Sequence, residues 1–264
     1  MIDIHHHCLP GVDDGPSDWD EAVAQCRLAA SEGIDTIIAT PHVLRGPWRN
    51  DSRRELQKLT LELNRRLETS GPRPRIILGS EYYFAHDILE VLESEEGIVP
   101  LAGSRWVLVE FASTSVPPRI PEVFYEMRIR GWNPVIAHPE RNFVFQQKMS
   151  LLHELIEQGA RLQLTLSSLT GAFGTAARRA AFGMMDHQMV HFLATDAHDL
   201  RRRPPSTGPG RELVTERWGA ERWQRLTVDN PSAIVEQRPL PYEPEPVQPA
   251  QTGGFLGFLG KLWR

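Results

Sequence analysis

Six places in this 264-residue chain bring an imidazole or a carboxylate to the end of a short apolar run. "IDI" leads into His5 and His7, "TIIAT" into Pro41-His42 and "IILGS" into Glu81. "WVLV" leads into Glu110, "PVIA" into His138, and "HFLAT" into Asp196 and His198. A lone histidine after a strand is usually a hydrogen-bonded loop residue, and H-x-H by itself is weak. Glu110 is harder to dismiss. A carboxylate between "WVLV" and "FA" is expected to be buried, and a buried charge is costly unless paired or metal-bound. Several carboxylates converging on one point repel, and divalent cations relieve that repulsion. Histidine, aspartate and glutamate without a thiolate suit manganese, iron or zinc rather than a closed structural zinc site.

The first of these runs, "MIDIHHHCLPGVDDGP", admits two readings, a tag remnant or part of a metal site. Side chains alternate along a strand, so His5 and His7 face one way and His6 the other. Asp13 or Asp14 of "DDG" can add a carboxylate from the following loop. A tag explains neither the preceding "IDI" nor the following "DDG".

Something must carry these groups to one place. Seven short, mostly apolar segments read as strands buried on both faces: "MIDI", "IDTIIAT", "RIILGS", "WVLVEF", "NPVIA", "ARLQLTL" and "MVHFLAT". Helical stretches separate them. "SDWDEAVAQCRLAASEG" opens on Ser17 or Asp18 and closes on Gly33; "SRRELQKLTLELNRRLETSG" runs from Asp51 or Ser52 to Gly71. "SLLHELIEQGA" and "TAARRAAFGMMDHQ" follow. The alternation predicts an α/β fold with a parallel sheet, and seven units without a break favour a barrel over an open sheet. In such a barrel the C-terminal strand ends share one face, where active sites lie.

Composition sets the limits. With 41% hydrophobic residues the chain can bury one large core, and its net charge of -5 carries no basic footprint for nucleic acid. Two cysteines, Cys8 and Cys26, suit a reducing cytoplasm. Six positions after them stand Asp14 and Glu32, so the C-x5-R loop of cysteine-dependent phosphatases is missing. No signal peptide or membrane-length run stands out. A domain over 1–237 is expected, followed by a flexible Pro/Glu-rich tail over 238–264. The tail's apolar tip, 253–264, is a short element for weak membrane or partner docking; a disordered end is the plainer reading.

The motifs "MIDIHxH…VDDGP", His42, "GSEYY", "VEF", "IAHPER" and "TDAH…RRRPP", in that order over about residues 1–235, resemble the PHP (polymerase and histidinol phosphatase) superfamily. Within it the chain is similar to the bacterial manganese-dependent protein-tyrosine phosphatases of the CpsB/CapC type. That resemblance implies a distorted (β/α)7 TIM-like barrel with a metal cluster at the C-terminal strand ends. It implies three divalent metal ions, manganese first, with iron or zinc as alternatives. His5, His7, Glu81 and Asp196 would hold the first. Glu81 would bridge to a second, completed by Glu110 and His138, and Asp14, His42 and His198 would hold the third. Arg141 of "HPER" and Arg203 before "PP" would bind phosphate, so Arg141, Arg203, Asp14 and His42 are the expected catalytic set. A metal-bridging hydroxide would attack phosphotyrosine on the tail of an autophosphorylated bacterial tyrosine kinase that regulates capsule or exopolysaccharide synthesis. That places the protein in the cytoplasm or at the inner face of the membrane. A small-molecule phosphatase of the histidinol-phosphate kind, a phosphodiesterase, and a metal-binding scaffold of polysaccharide assembly are the alternatives. Arg201 and Arg202 read as a solvated patch or a steering surface. "VLRGPW" reads as a mobile loop or a lip, and His86, His153, His187 and His191 carry no role.

Overall fold

The structure, a computed structural model, describes residues 1–69, 71–85, 87–94 and 98–247. Among them nine strands follow in order: β1 (Ile2–His6), β2 (Thr36–Ala39), β3 (His42–Val43), β4 (Arg75–Leu78), β5 (Glu81–Tyr83), β6 (Trp106–Glu110), β7 (Asn133–Ala137), β8 (Arg161–Thr165) and β9 (Phe192–Ala194). One sheet has the order β1-β2-β4 and the other β3-β5-β6-β7-β8-β9, every pair parallel. The α/β architecture with parallel strands is as the alternation predicts. Two segments differ: "TIIAT" and "RIILGS" are each followed by a second short strand after a bend. The pairing of these neighbouring segments carries on through the bend, Gly79 N donating to Ala39 O at 2.8 Å and Glu81 N to Pro41 O at 3.1 Å. On the far side the chain beyond β9 meets β1: Asp196 N donates to His5 O at 2.8 Å and His7 N to Ala197 O at 2.9 Å.

The bend after β4 depends on Gly79. A Cβ there would sit 2.8 Å from Ile38 Cγ2 and 3.2 Å from a Leu101 methyl, so only glycine lets the strands come this close.

Apolar side chains cover both faces of the strands. Ile4, Ile38, Leu108, Val135, Phe192 and Ala194 pack on one another and on Ile234 of the helix Asn230–Val235. Outer faces receive the helices. Cys26 and Ala29 of Trp19–Ser31 pack with Leu56 and Leu63 of Arg53–Leu67. Phe124 and Met127 of Ile120–Ile129 pack with Val107 and Val109. Burying such side chains contributes about 1.5–3 kcal/mol each. Asp18 and Ser52 cap the first two helices, accepting from Glu21 N at 2.9 Å and Glu55 N at 3.4 Å.

Residues 238–247, expected as the start of a flexible linker, lack regular secondary structure but are pinned to the fold. Asn230 exchanges hydrogen bonds with the Tyr242 backbone (2.8 and 3.1 Å), Arg161 pairs with Glu243 at 2.8 Å, and Val247 N donates to His187 O at 2.9 Å. Its prolines lack the N–H that regular secondary structure needs, and the polar groups named here find partners on the domain. The tip 253–264 and His86 lie outside the described residues. No helix among the described residues is long and apolar enough to cross a membrane.

Candidate metal centre

The three histidines are sorted by a β-bulge. Asp3 lies opposite Ile37 and His6 opposite Ala39, so three steps on β1 match two on β2. Asp3 and His6 therefore face outward together. His6 Nδ1 donates to Asp3 Oδ2 at 3.0 Å, and Gln25 Nε2 donates to His6 Nε2 at 3.1 Å. His5 and His7 project to the strand-end cluster instead. His6 is turned away as alternation predicts, but the extra residue is what keeps Ile4 in the core while His5 reaches the site.

All nine expected ligand residues converge. Their donor atoms form overlapping groups: His7, Asp14, His42 and His198; His5, His7 and Glu81; His5, His138 and Asp196; His42, Glu81 and Glu110. His5 Nε2 lies 3.2 Å from Glu81 Oε2, 3.3 Å from Asp196 Oδ1 and 3.2 Å from His7 Nε2. Glu81 Oε2 also lies 2.9 Å from His42 Nδ1, and Glu81 Oε1 lies 2.9 Å from His138 Nε2. Asp14 Oδ1 is 3.3 Å from both His42 Nε2 and His198 Nε2. His138 and Glu110 stand further apart, at 3.9 Å.

These separations test whether metal fits. Ligand atoms bound at about 2.1 Å to one cation lie roughly 3.0–3.4 Å from each other, as here. The polar bookkeeping agrees. Glu81 Oε2, Glu110 Oε2, Asp196 Oδ1 and His198 Nε2 are buried beside charged neighbours but make no well-aligned hydrogen bond, which a folded protein avoids unless something else binds them. Outer contacts fix the rings. His5 Nδ1 donates to Gln163 Oε1 at 2.8 Å and His7 Nδ1 to Asp13 Oδ2 at 2.7 Å, so both Nε2 lone pairs face inward. Asp13 also accepts from His42 N and Gly15 N, whereas Asp14 reaches the cluster itself. Two of the nine, His138 and Asp196, hold left-handed φ of 33° and 52°. Each costs about 1–2 kcal/mol in a non-glycine residue, and such strain gathers at functional sites.

Charge crowding displaces the titrations. Burial pulls the His5 and His42 pKa values down. The Glu81 and Asp196 charges around His5, and Glu81 and Asp14 around His42, outweigh it and raise them to about 9 and about 10. Burial, with the Glu81 charge, lifts Glu110 to about 7. Burial, helped by Arg141, drops His138 to about 4; burial, helped by His7, drops His198 to about 4.

Arg141 and Arg203 meet at Asp196 Oδ2, Arg203 at 2.6 Å. Phe173 lies beneath them, its ring centre 3.7 Å from the Arg141 guanidinium carbon and 5.8 Å from that of Arg203. Arg201 and Arg202 are solvent-exposed beside Arg203, their backbone N–H groups held by Asp199. "VLRGPW" folds over the site rather than hanging free. Arg45 and Trp48 pair across a tight turn, Trp48 stacks on His42 at 5.4 Å, and Arg45 Nε lies 3.1 Å from Glu110 Oε2. Among the histidines without expected roles, His191 is buried under strand β8 and His153 in a helix, both away from the cluster. Sequence reading missed Asp13 as an orienting group, and also Gln163, Arg45 and Phe173. The second acid of "DDG" was visible, but contacts to Gln163 and Phe173 depend on distant elements that no local pattern encodes.

A family model for capsular polysaccharide synthesis proteins, CpsB/CapC, matches residues 1–236. The tyrosine-protein phosphatase YwqE of Bacillus subtilis is 32% identical over 97% of this chain and all of its own length. The putative tyrosine-protein phosphatase CapC of Staphylococcus aureus is 40% identical over 77% of this chain and 79% of its own. A crystal structure from work on YwqE and on CpsB from Streptococcus pneumoniae, described as metal-dependent tyrosine phosphatases, superposes with a TM-score of 0.88. It has 31% identity and covers 94% of this chain and all of that one. A β-aspartyl dipeptidase from Fervidobacterium islandicum shares the fold at a TM-score of 0.52 and 16% identity, covering 89% of this chain and 72% of that one.

Proposed function

The chain belongs to the CpsB/CapC family, and from that membership and its site we infer that it is a metal-dependent protein-tyrosine phosphatase. The observation that carries this reading is a largely buried cluster of nine histidine and carboxylate side chains with two arginines on its open edge. We propose three divalent cations, manganese first. His5, His7, Glu81 and Asp196 would hold one, Glu81, Glu110 and His138 a second, and Asp14, His42 and His198 the third. Such cations supply charge neutralisation and an acidified water for in-line attack on phosphorus.

The protein's own groups do the rest. Asp14 is 42% exposed while His5, Glu81 and Asp196 are almost fully buried, so the site opens along the edge of Asp14 and Arg203. Arg141 and Arg203 can each take phosphoryl oxygens in pairs, with Phe173 holding both guanidinium planes. A cavity of about 400 Å³ adjoins them, lined by Ser167, Thr170, Phe173, Arg203 and Pro204, with room for a phenol ring. A phenolate leaving group with pKa near 10 needs little proton assistance.

In this reading the two sheets form one distorted (β/α)7 barrel over 1–237. The hydrogen bonds between β1 and the segment after β9 support closure. The substrate is the phosphotyrosine tail of an autophosphorylated bacterial tyrosine kinase governing capsule or exopolysaccharide synthesis, which places the enzyme in the cytoplasm. The description of the matching family and the open edge support that substrate. Both cysteines are fully buried, in keeping with thiol-independent chemistry.

The test is hydrolysis of p-nitrophenyl phosphate, a phosphotyrosine peptide, histidinol phosphate and a phosphodiester by freshly purified protein. Manganese should stimulate, chelation should abolish, and thiol alkylation should not affect turnover of the first two. Activity that survives chelation, or falls on alkylation, would overturn the reading.

A further inference from the structure

The end of the sheets opposite the ligand cluster carries another charge pattern. At the N-terminal ends of β6, β7 and β8 a cavity of about 410 Å³ opens, with Arg105, Arg128, Arg161 and Arg238 in its wall. Arg105 directly precedes β6 and Glu110 ends it, so a strand's length, about 15 Å, separates this cavity from the ligand cluster.

Four arginines around one cavity are unexpected in a chain of net charge -5. Arg161 pairs with Glu243 at 2.8 Å and Arg238 with Glu236 at 2.5 Å. Among the described residues Arg105 and Arg128 pair with no carboxylate. Arg105 is held by its stack on Trp132, 4.4 Å from the ring centre. Arg128 lies across Gly159, where a Cβ would come within 2.0 Å of Arg128 Cδ, so the bare glycine leaves room for the arginine. Arg161 Nε is buried without a hydrogen-bond partner. Like charges gathered this closely repel, and an anion between them removes the repulsion.

We propose that this cavity is a second anion site that takes a phosphate group, separate from the metal centre. Glu243 is its internal partner, a tail carboxylate already drawn to Arg161, and it leaves the remaining positive charge unmatched. Arginine suits a tetrahedral oxyanion because its donors can take two oxygens together. The phosphate can come from a soluble ester or from a lipid headgroup. Val247, the last described residue, is bonded at this same end to His187 ahead of β9, and the last ten residues of the sequence, "FLGFLGKLWR", are apolar and basic.

Two measurements on the full-length manganese-loaded protein test the site. Calorimetric titration with inorganic sulfate should show two sites per chain. In the Arg105→Gln/Arg128→Gln double variant one should remain, with p-nitrophenyl phosphate turnover and its inhibition by sulfate unchanged. Arg128→Gln alone, a milder change, should weaken the lost site roughly tenfold. Co-sedimentation with phosphatidylglycerol/phosphatidylcholine vesicles identifies the source. Vesicle binding that falls about tenfold in the double variant assigns a lipid headgroup, and a sulfate site without vesicle binding assigns a soluble phosphate. Equal sulfate stoichiometry and equal vesicle binding in wild type and variants would overturn the proposal.

Discussion

Asp13 and Asp14 are neighbours in sequence with separate tasks set by burial. The Asp13 carboxylate is enclosed and orients His7, while Asp14 reaches from solvent to His42 and His198. His5 and His6 divide in the same way. His6→Ala would strip partners from the buried Asp3 and Gln25, costing about 1–3 kcal/mol, and should lower the melting temperature while leaving bound metal intact. His5→Ala should lose metal and activity together; metal content unchanged in His5→Ala would remove His5 from the ligand set. The raised pKa values have a further consequence. Without metal, His5 (about 9) and His42 (about 10) carry protons at pH 8, and a cation must displace them. Manganese uptake at pH 8 should therefore release about two protons, and affinity should rise with pH until about 9–10. Calorimetry in buffers of different ionisation heat measures this, and no buffer dependence would contradict it.

At the scale of elements, the proposed ligand residues stand out because parallel strands read as apolar runs and each run ends on a group that does not belong in one. Glu110 after "WVLV" is the clearest case. The bends that aim these groups were not legible. The bulge in β1 and the breaks after β2 and β4 arise from how neighbouring strands meet, as does the fold of "VLRGPW" against His42. Gly79 locates one bend. Gly79→Ala forces a methyl against Ile38 and Leu101, a clash that typically costs about 1–3 kcal/mol. Because Glu81 follows two residues later, bound manganese should fall along with the melting temperature. A drop in melting temperature with full metal content would show that β5 finds its place without the glycine.

For the whole molecule, residues 238–247 matter through their contacts with the domain. A chain ending at residue 247 keeps the contacts of Tyr242, Glu243 and Val247, and should retain turnover on a small aryl phosphate. Ending at 237 removes them and should lower the melting temperature by several degrees relative to the chain ending at 247, with that turnover retained. Equal melting temperatures for the two truncations would mean that these contacts add nothing. Composition marked where proline-rich sequence begins, but partners such as Asn230 and Arg161 become visible only once the domain surface exists. The meeting of β1 with the segment after β9 also governs timing. Asp3 and Thr195, hydrogen-bonded at 3.0 Å, lie 192 positions apart. On a ribosome adding about 5–20 residues per second, the first histidines emerge roughly 10–40 s before Asp196 and His198. A nascent chain thus carries seven of the nine proposed ligand residues before the last two appear, so under the proposed ligand set metallation is a late event of synthesis, and the cation supply matters at release rather than at initiation.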